Sequence, residues 1–108
     1  MKNLVLNNNN LTGSFAITTG HLDSFDPLYG VFNLSNNHLT SFDGTGMSNL
    51  RSIDLSHNAF TSFEAKGLND TQELILSNNQ LTSFNTTGMG ILSSVDLSFN
   101  NFTSFSGV

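Results

Sequence analysis

Four stretches read almost as one: VFNLSNNHLTSF (Val31–Phe42), SIDLSHNAFTSF (Ser52–Phe63), ELILSNNQLTSF (Glu73–Phe84) and SVDLSFNNFTSF (Ser94–Phe105). Aligned on the asparagine three positions after each Leu-x-Leu or its equivalent, they recur every 21 residues, at Asn37, Asn58, Asn79 and Asn100. A fifth copy, LVLNNNNL (Leu4–Leu11), opens the chain with Asn9 in the same place, 28 residues ahead of Asn37, so the first unit holds seven extra residues. Periodicity of this kind marks a repeat architecture, in which each unit buries its apolar edge only against its neighbours.

The frame fixes further columns. Leu4, Phe32, Ile53, Leu74 and Val95 take the first apolar place, and Leu6, Leu34, Leu55, Leu76 and Leu97 the second. Leu11, Leu39, Phe60, Leu81 and Phe102 follow the asparagine, then a threonine at 12, 40, 61, 82 and 103, then Phe15, Phe42, Phe63, Phe84 and Phe105. The Leu-x-Leu alternation is the period of a short strand with both leucines on one face, and the phenylalanines supply a second apolar row. The ten residues left for the return in each 21-residue unit are rich in Gly, Thr and Asn, as in FDGTGMSN and FNTTGMGI, which disfavours an α-helix and predicts an extended or 3₁₀ path.

These strings resemble the leucine-rich repeat family, whose core reads L-x-x-L-x-L-x-x-N-x-L, from about Asn3 to Phe105. The leading leucine is the loosest place, held by Tyr29, Leu50, Thr71 and Leu92, and Thr71 departs from the pattern. The resemblance implies a single repeat-solenoid domain over residues 1–108, a weakly curved slab with a parallel sheet on its concave face. Its units fall near 1–28, 29–49, 50–70, 71–91 and an incomplete 92–108. It also implies that Asn9, Asn37, Asn58, Asn79 and Asn100 form a ladder of amide side chains pairing with backbone groups where the chain turns inward.

Composition bounds the function. Asn (16), Ser (15) and Thr (11) dominate the 108 residues, while only 3 basic residues face 8 acidic ones, for a net charge of −5. With no basic cluster the chain does not suit nucleic acid, and no apolar run is long enough to insert into a membrane. The absence of cysteine excludes a disulfide framework and thiolate chemistry. Met1-Lys2-Asn3 leads into a short apolar patch and four asparagines, which does not read as a secretory leader. The Asn/Ser/Thr bias alone leans toward an extracellular or surface setting. Five glycosylation sequons, at Asn10, Asn33, Asn69, Asn85 and Asn101, are no more than this composition yields by chance.

Nothing in the chain reads as catalytic or as a cofactor site. His21, His38 and His57 occupy different frame positions and form no ligand set. Gly44-Thr45-Gly46 lacks the third glycine and the helix of a dinucleotide loop. Asp54 and Asp96 share a column two units apart, about 10 Å at normal strand spacing, but no pocket is expected around them. Asp23 and Asp26, in the extra loop around Pro27, are too few for calcium.

By the resemblance, binding belongs on the concave face, at positions that vary between units: Asn33, Arg51, Asp54, His57, Glu73, Ile75, Asp96 and Phe99. A protein partner is the expectation. The alternatives are a structural or adhesive component that stacks end to end as a homo-oligomer or filament, and ice or carbohydrate binding through the Thr/Ser column.

Overall fold

The computed structural model describes residues 3–16, 30–43, 50–64, 68–85 and 89–102. The extra loop with His21, Asp23, Asp26 and Pro27, the Gly44-Thr45-Gly46 string, Gly67, Gly88 and Phe105 lie outside them.

Five three-residue strands pair in parallel, in the order β1 (Asn3–Val5), β3 (Val31–Asn33), β5 (Ser52–Asp54), β6 (Glu73–Ile75) and β7 (Ser94–Asp96). Register follows the sequence frame: Leu4, Phe32, Ile53, Leu74 and Val95 pair in turn, as do Val5, Asn33, Asp54, Ile75 and Asp96. Each strand is short because its Leu-x-Leu segment runs straight into a turn, and the turn carries the backbone pairing onward. Leu34 donates to the Asp54 carbonyl, Leu55 to Ile75 and Leu76 to Asp96, all within 2.8–2.9 Å. Among the described residues there is no helix, and the sheet does not close into a barrel; part of each return lies outside the described residues.

The core lies on one side of this sheet. Phe32, Leu34, Ile53, Leu55, Leu74 and Leu76 are fully buried, and Leu39, Phe60 and Leu81 close over them from beyond the turn. The phenylalanine column forms the far wall. Phe15 stacks on Phe42 at 6.0 Å and Phe63 on Phe84 at 6.3 Å, while Phe32 meets Phe15 and Phe42 edge-on. Aromatic pairs in these geometries add about 0.5–1.5 kcal/mol beyond the area they bury.

Thr71, the departure from the leading-leucine pattern, is fully buried without an orphaned hydroxyl. Its Oγ1 donates to the Leu50 carbonyl at 2.9 Å, and Leu50 is its counterpart one unit earlier. A polar side chain therefore fills an apolar position by pairing with the backbone of its neighbour.

The Thr-Ser-Phe segment also goes beyond a simple turn. In the first two units it forms a second parallel pair, β2 (Thr12–Ala16) with β4 (His38–Asp43). The register shifts between Gly13 and Ser14, and Gly13 takes φ 73°, a left-handed conformation that a residue without Cβ adopts freely.

Candidate functional site

The turn after each strand arranges everything around it, beginning with two neighbouring residues. The first has positive φ after each of the five strands: Asn8 (57°), Asn36 (58°), His57 (55°), Asn78 (58°) and Phe99 (56°). Asparagine tolerates this left-handed region better than most residues, whereas an aromatic ring there is unusual. The second is the asparagine column. Asn79 is buried; its Nδ2 donates to the carbonyls of Leu76 and Ser77 in its own turn and of Leu55 in the turn before, at 3.0–3.3 Å. Its Oδ1 accepts from the Phe60 N–H at 3.1 Å. Asn37, Asn58 and Asn100 repeat the set: Nδ2 reaches Leu6, Leu34 and Leu76 respectively in the preceding turn, and Oδ1 accepts from the N–H of Leu11, Leu39 and Leu81. Asn9 donates within its own turn, to Leu6 and Asn7.

The open face of the five-stranded sheet carries the residues between the core positions, in two rows. One row is Val31, Ser52, Glu73 and Ser94; the other is Val5, Asn33, Asp54, Ile75 and Asp96. Of the residues the sequence singles out for binding, Asn33, Asp54, Ile75 and Asp96 come together in the second row. Glu73 stands in the first, where its Oε1 accepts from the Ser52 hydroxyl at 2.7 Å. Arg51 is exposed one residue outside β5, and its backbone pairs with Gly30, Gln72 and Glu73. His57 and Phe99 are not on the strands: they hold the positive-φ place in the turn, with Asn78 between them, and Phe99 is 78% exposed.

Variation in the second row is narrower than the sequence suggests. Asn33, Asp54 and Asp96 perform one shared task, each Oδ1 accepting from both the N–H and the hydroxyl of the serine two residues on: Ser35, Ser56 and Ser98. The Asx-x-Ser spacing is the signal for this, and the repeat frame alone passes over it. These hydrogen bonds, the side-chain one foremost, hold the Asp96 carboxyl below its ordinary value of 3.8, against a small opposing effect of burial. Ile75 and Val5 take no part in this bonding, and Ile75 stands half-buried between the two aspartates.

On the flank, Thr12, Thr40, Thr61 and Thr82 are all exposed, with Ser41, Ser62 and Ser83 beside them. There the packing leaves a cleft of about 260 Å³, walled by Phe42, Phe60 and Phe63 and rimmed by serines, Asp43 and Glu64. No sequence signal announces this cleft, whose lining is shared among three successive repeats of the frame. Among the described residues no group of three or more His, Cys, Asp or Glu is placed to hold a metal ion, and no helix is long and apolar enough to cross a membrane.

Residues 49–70 match the family model described as Leucine Rich Repeat. No curated protein matches the chain. The match spans one unit of the 21-residue frame, Leu50 to Asp70, together with the residue before it. The chain carries a leucine-rich repeat, and its parallel sheet fits a repeat fold. Such repeats generally mediate protein interaction and are typically non-enzymatic.

Proposed function

We propose that this leucine-rich-repeat chain is a non-enzymatic protein-interaction module that meets its partner on the open face of the five-stranded sheet. The reading takes the chain as a solenoid of five units with the asparagine column as its inner scaffold. The hydrogen bonds of Asn37, Asn58, Asn79 and Asn100 to the turn before support that scaffold. Asn33, Arg51, Asp54, His57, Glu73, Ile75, Asp96 and Phe99 are the contact residues.

One observation carries the reading: Ile75 lies on the open face between Asp54 and Asp96, with the exposed Phe99 in the turn after Asp96. An apolar centre bordered by polar groups is what a protein interface presents at its core and rim. The test is to select binders from a displayed peptide library on the folded chain, then compare two variants. Ile75→Arg on the open face should abolish binding of most clones, and Thr61→Arg on the flank should leave it intact. Clones that tolerate Ile75→Arg and lose Thr61→Arg would move the site to the flank.

A further inference from the structure

Resting on that reading, we propose the shape and charge of the partner: an amphipathic α-helix laid across the strands, with basic side chains at positions i and i+7 and a large apolar side chain at i+3 or i+4.

The argument is metric. Neighbouring strands in a sheet lie about 4.8 Å apart, so Asp54, Ile75 and Asp96, paired in one row on three successive strands, are spaced by about that distance. An α-helix rises 1.5 Å per residue, so i and i+7 stand about 10.5 Å apart on one face, with i+3 and i+4 midway. A helix lying across the strands therefore sets i over Asp54, i+3 or i+4 over Ile75, and i+7 over Asp96. An extended chain in the same orientation fails, because it points residues on alternate faces at about 3.3 Å intervals. The helix, about 10 Å wide, covers both rows of the face, and Glu73 in the first row, on the same strand as Ile75, receives a further basic residue beside the apolar one.

The charge argument is local. The two rows hold three carboxylates, Asp54, Glu73 and Asp96, and no basic side chain; Arg51 lies outside the rows. Two of these carboxylates are also pre-oriented. The serine two residues on holds one oxygen of Asp54 and of Asp96, which fixes the side chain and leaves the second oxygen for a cation. Phe99, exposed in the turn after Asp96, offers a ring face to an arginine at i+7.

Asn33 makes the same pair of hydrogen bonds as the aspartates, so Asp54→Asn and Asp96→Asn should remove charge while keeping the turn. The probe is a synthetic 15-residue helical peptide with Lys at i and i+7 and Leu at i+4, titrated by fluorescence anisotropy against the full chain. Its control has the same composition with the two lysines three apart. The spaced peptide should bind at least tenfold tighter than the control. The Asp54→Asn/Asp96→Asn double variant, with unchanged circular dichroism, should reduce that affinity at least tenfold. Equal affinity for both peptides would show attraction by net charge alone, no loss in the double variant would show that Asp54 and Asp96 take no part in binding, and either result would overturn the helix. Absence of binding to either peptide, while library clones remain sensitive to Ile75→Arg, would overturn the helix and leave the interaction face standing. Clones insensitive to Ile75→Arg would remove the face itself.

Discussion

Asn78 and Asn79 stand side by side in the turn after β6, yet the fold uses them in opposite ways. Asn79 faces inward, is buried, and satisfies three carbonyls and one N–H with its amide. Asn78 is only half-buried and contributes a backbone conformation, φ 58°, that few side chains accept. The inward place demands a specific donor–acceptor geometry, and Asn37, Asn58, Asn79 and Asn100 all meet it with the same set of bonds. The place before it demands only a tolerated φ, so two turns put His57 and Phe99 there instead. Freedom in the repeat appears where the requirement is conformational rather than chemical.

The largest test of this contrast is a pair of substitutions. Asn79→Ala leaves buried backbone groups unpaired and should cost about 2–3 kcal/mol in urea unfolding. Asn78→Ala keeps every partner, loses only a side chain suited to the left-handed region, and should cost about 1 kcal/mol. Equal costs would erase the distinction. The buried hydroxyl of Thr71 sharpens it from the apolar side. Thr71→Val keeps shape but leaves the Leu50 carbonyl without its side-chain donor, and should cost about 1–2 kcal/mol by the same measurement. Smaller, and of opposite sign, is Phe99→Asn: relief of an aromatic residue from positive φ should stabilise the chain by about 0.5–1 kcal/mol, while weakening partner binding.

The smallest effect is electrostatic. Asp96 has a folded pKa below its ordinary value, so its ionised form is favoured in the fold. The stability this supplies is present above 3.8 and is lost as pH falls through the lower folded value. Ser98→Ala removes the hydroxyl bond, and in an NMR titration the Asp96 carboxyl should move back toward 3.8.

Much of this arrangement is legible in the amino-acid sequence. The 21-residue frame places Phe32, Ile53 and Leu74 in one register and their leucine partners in the core, because strand alternation and repeat spacing act through local chemistry that one chain displays. The candidate contact residues are legible only as positions. That Asn33, Asp54 and Asp96 share a serine partner depends on side-chain orientation, although the two-residue spacing is there to see. The β2–β4 pairing and the cleft beside it are not legible. Thr-Ser-Phe reads equally as turn or strand, and what decides is how Gly13 shifts the register against β4.

The Asx-x-Ser bond has one more consequence. Because only Oδ1 is engaged, the geometry of the turn is the same for an amide and a carboxylate, and the two differ by a single terminal group. The charge at Asn33, Asp54 and Asp96 is therefore a variable independent of the backbone beneath it. Exchanging Asn and Asp along this row would write a new electrostatic pattern at about 4.8 Å pitch without asking the core to repack.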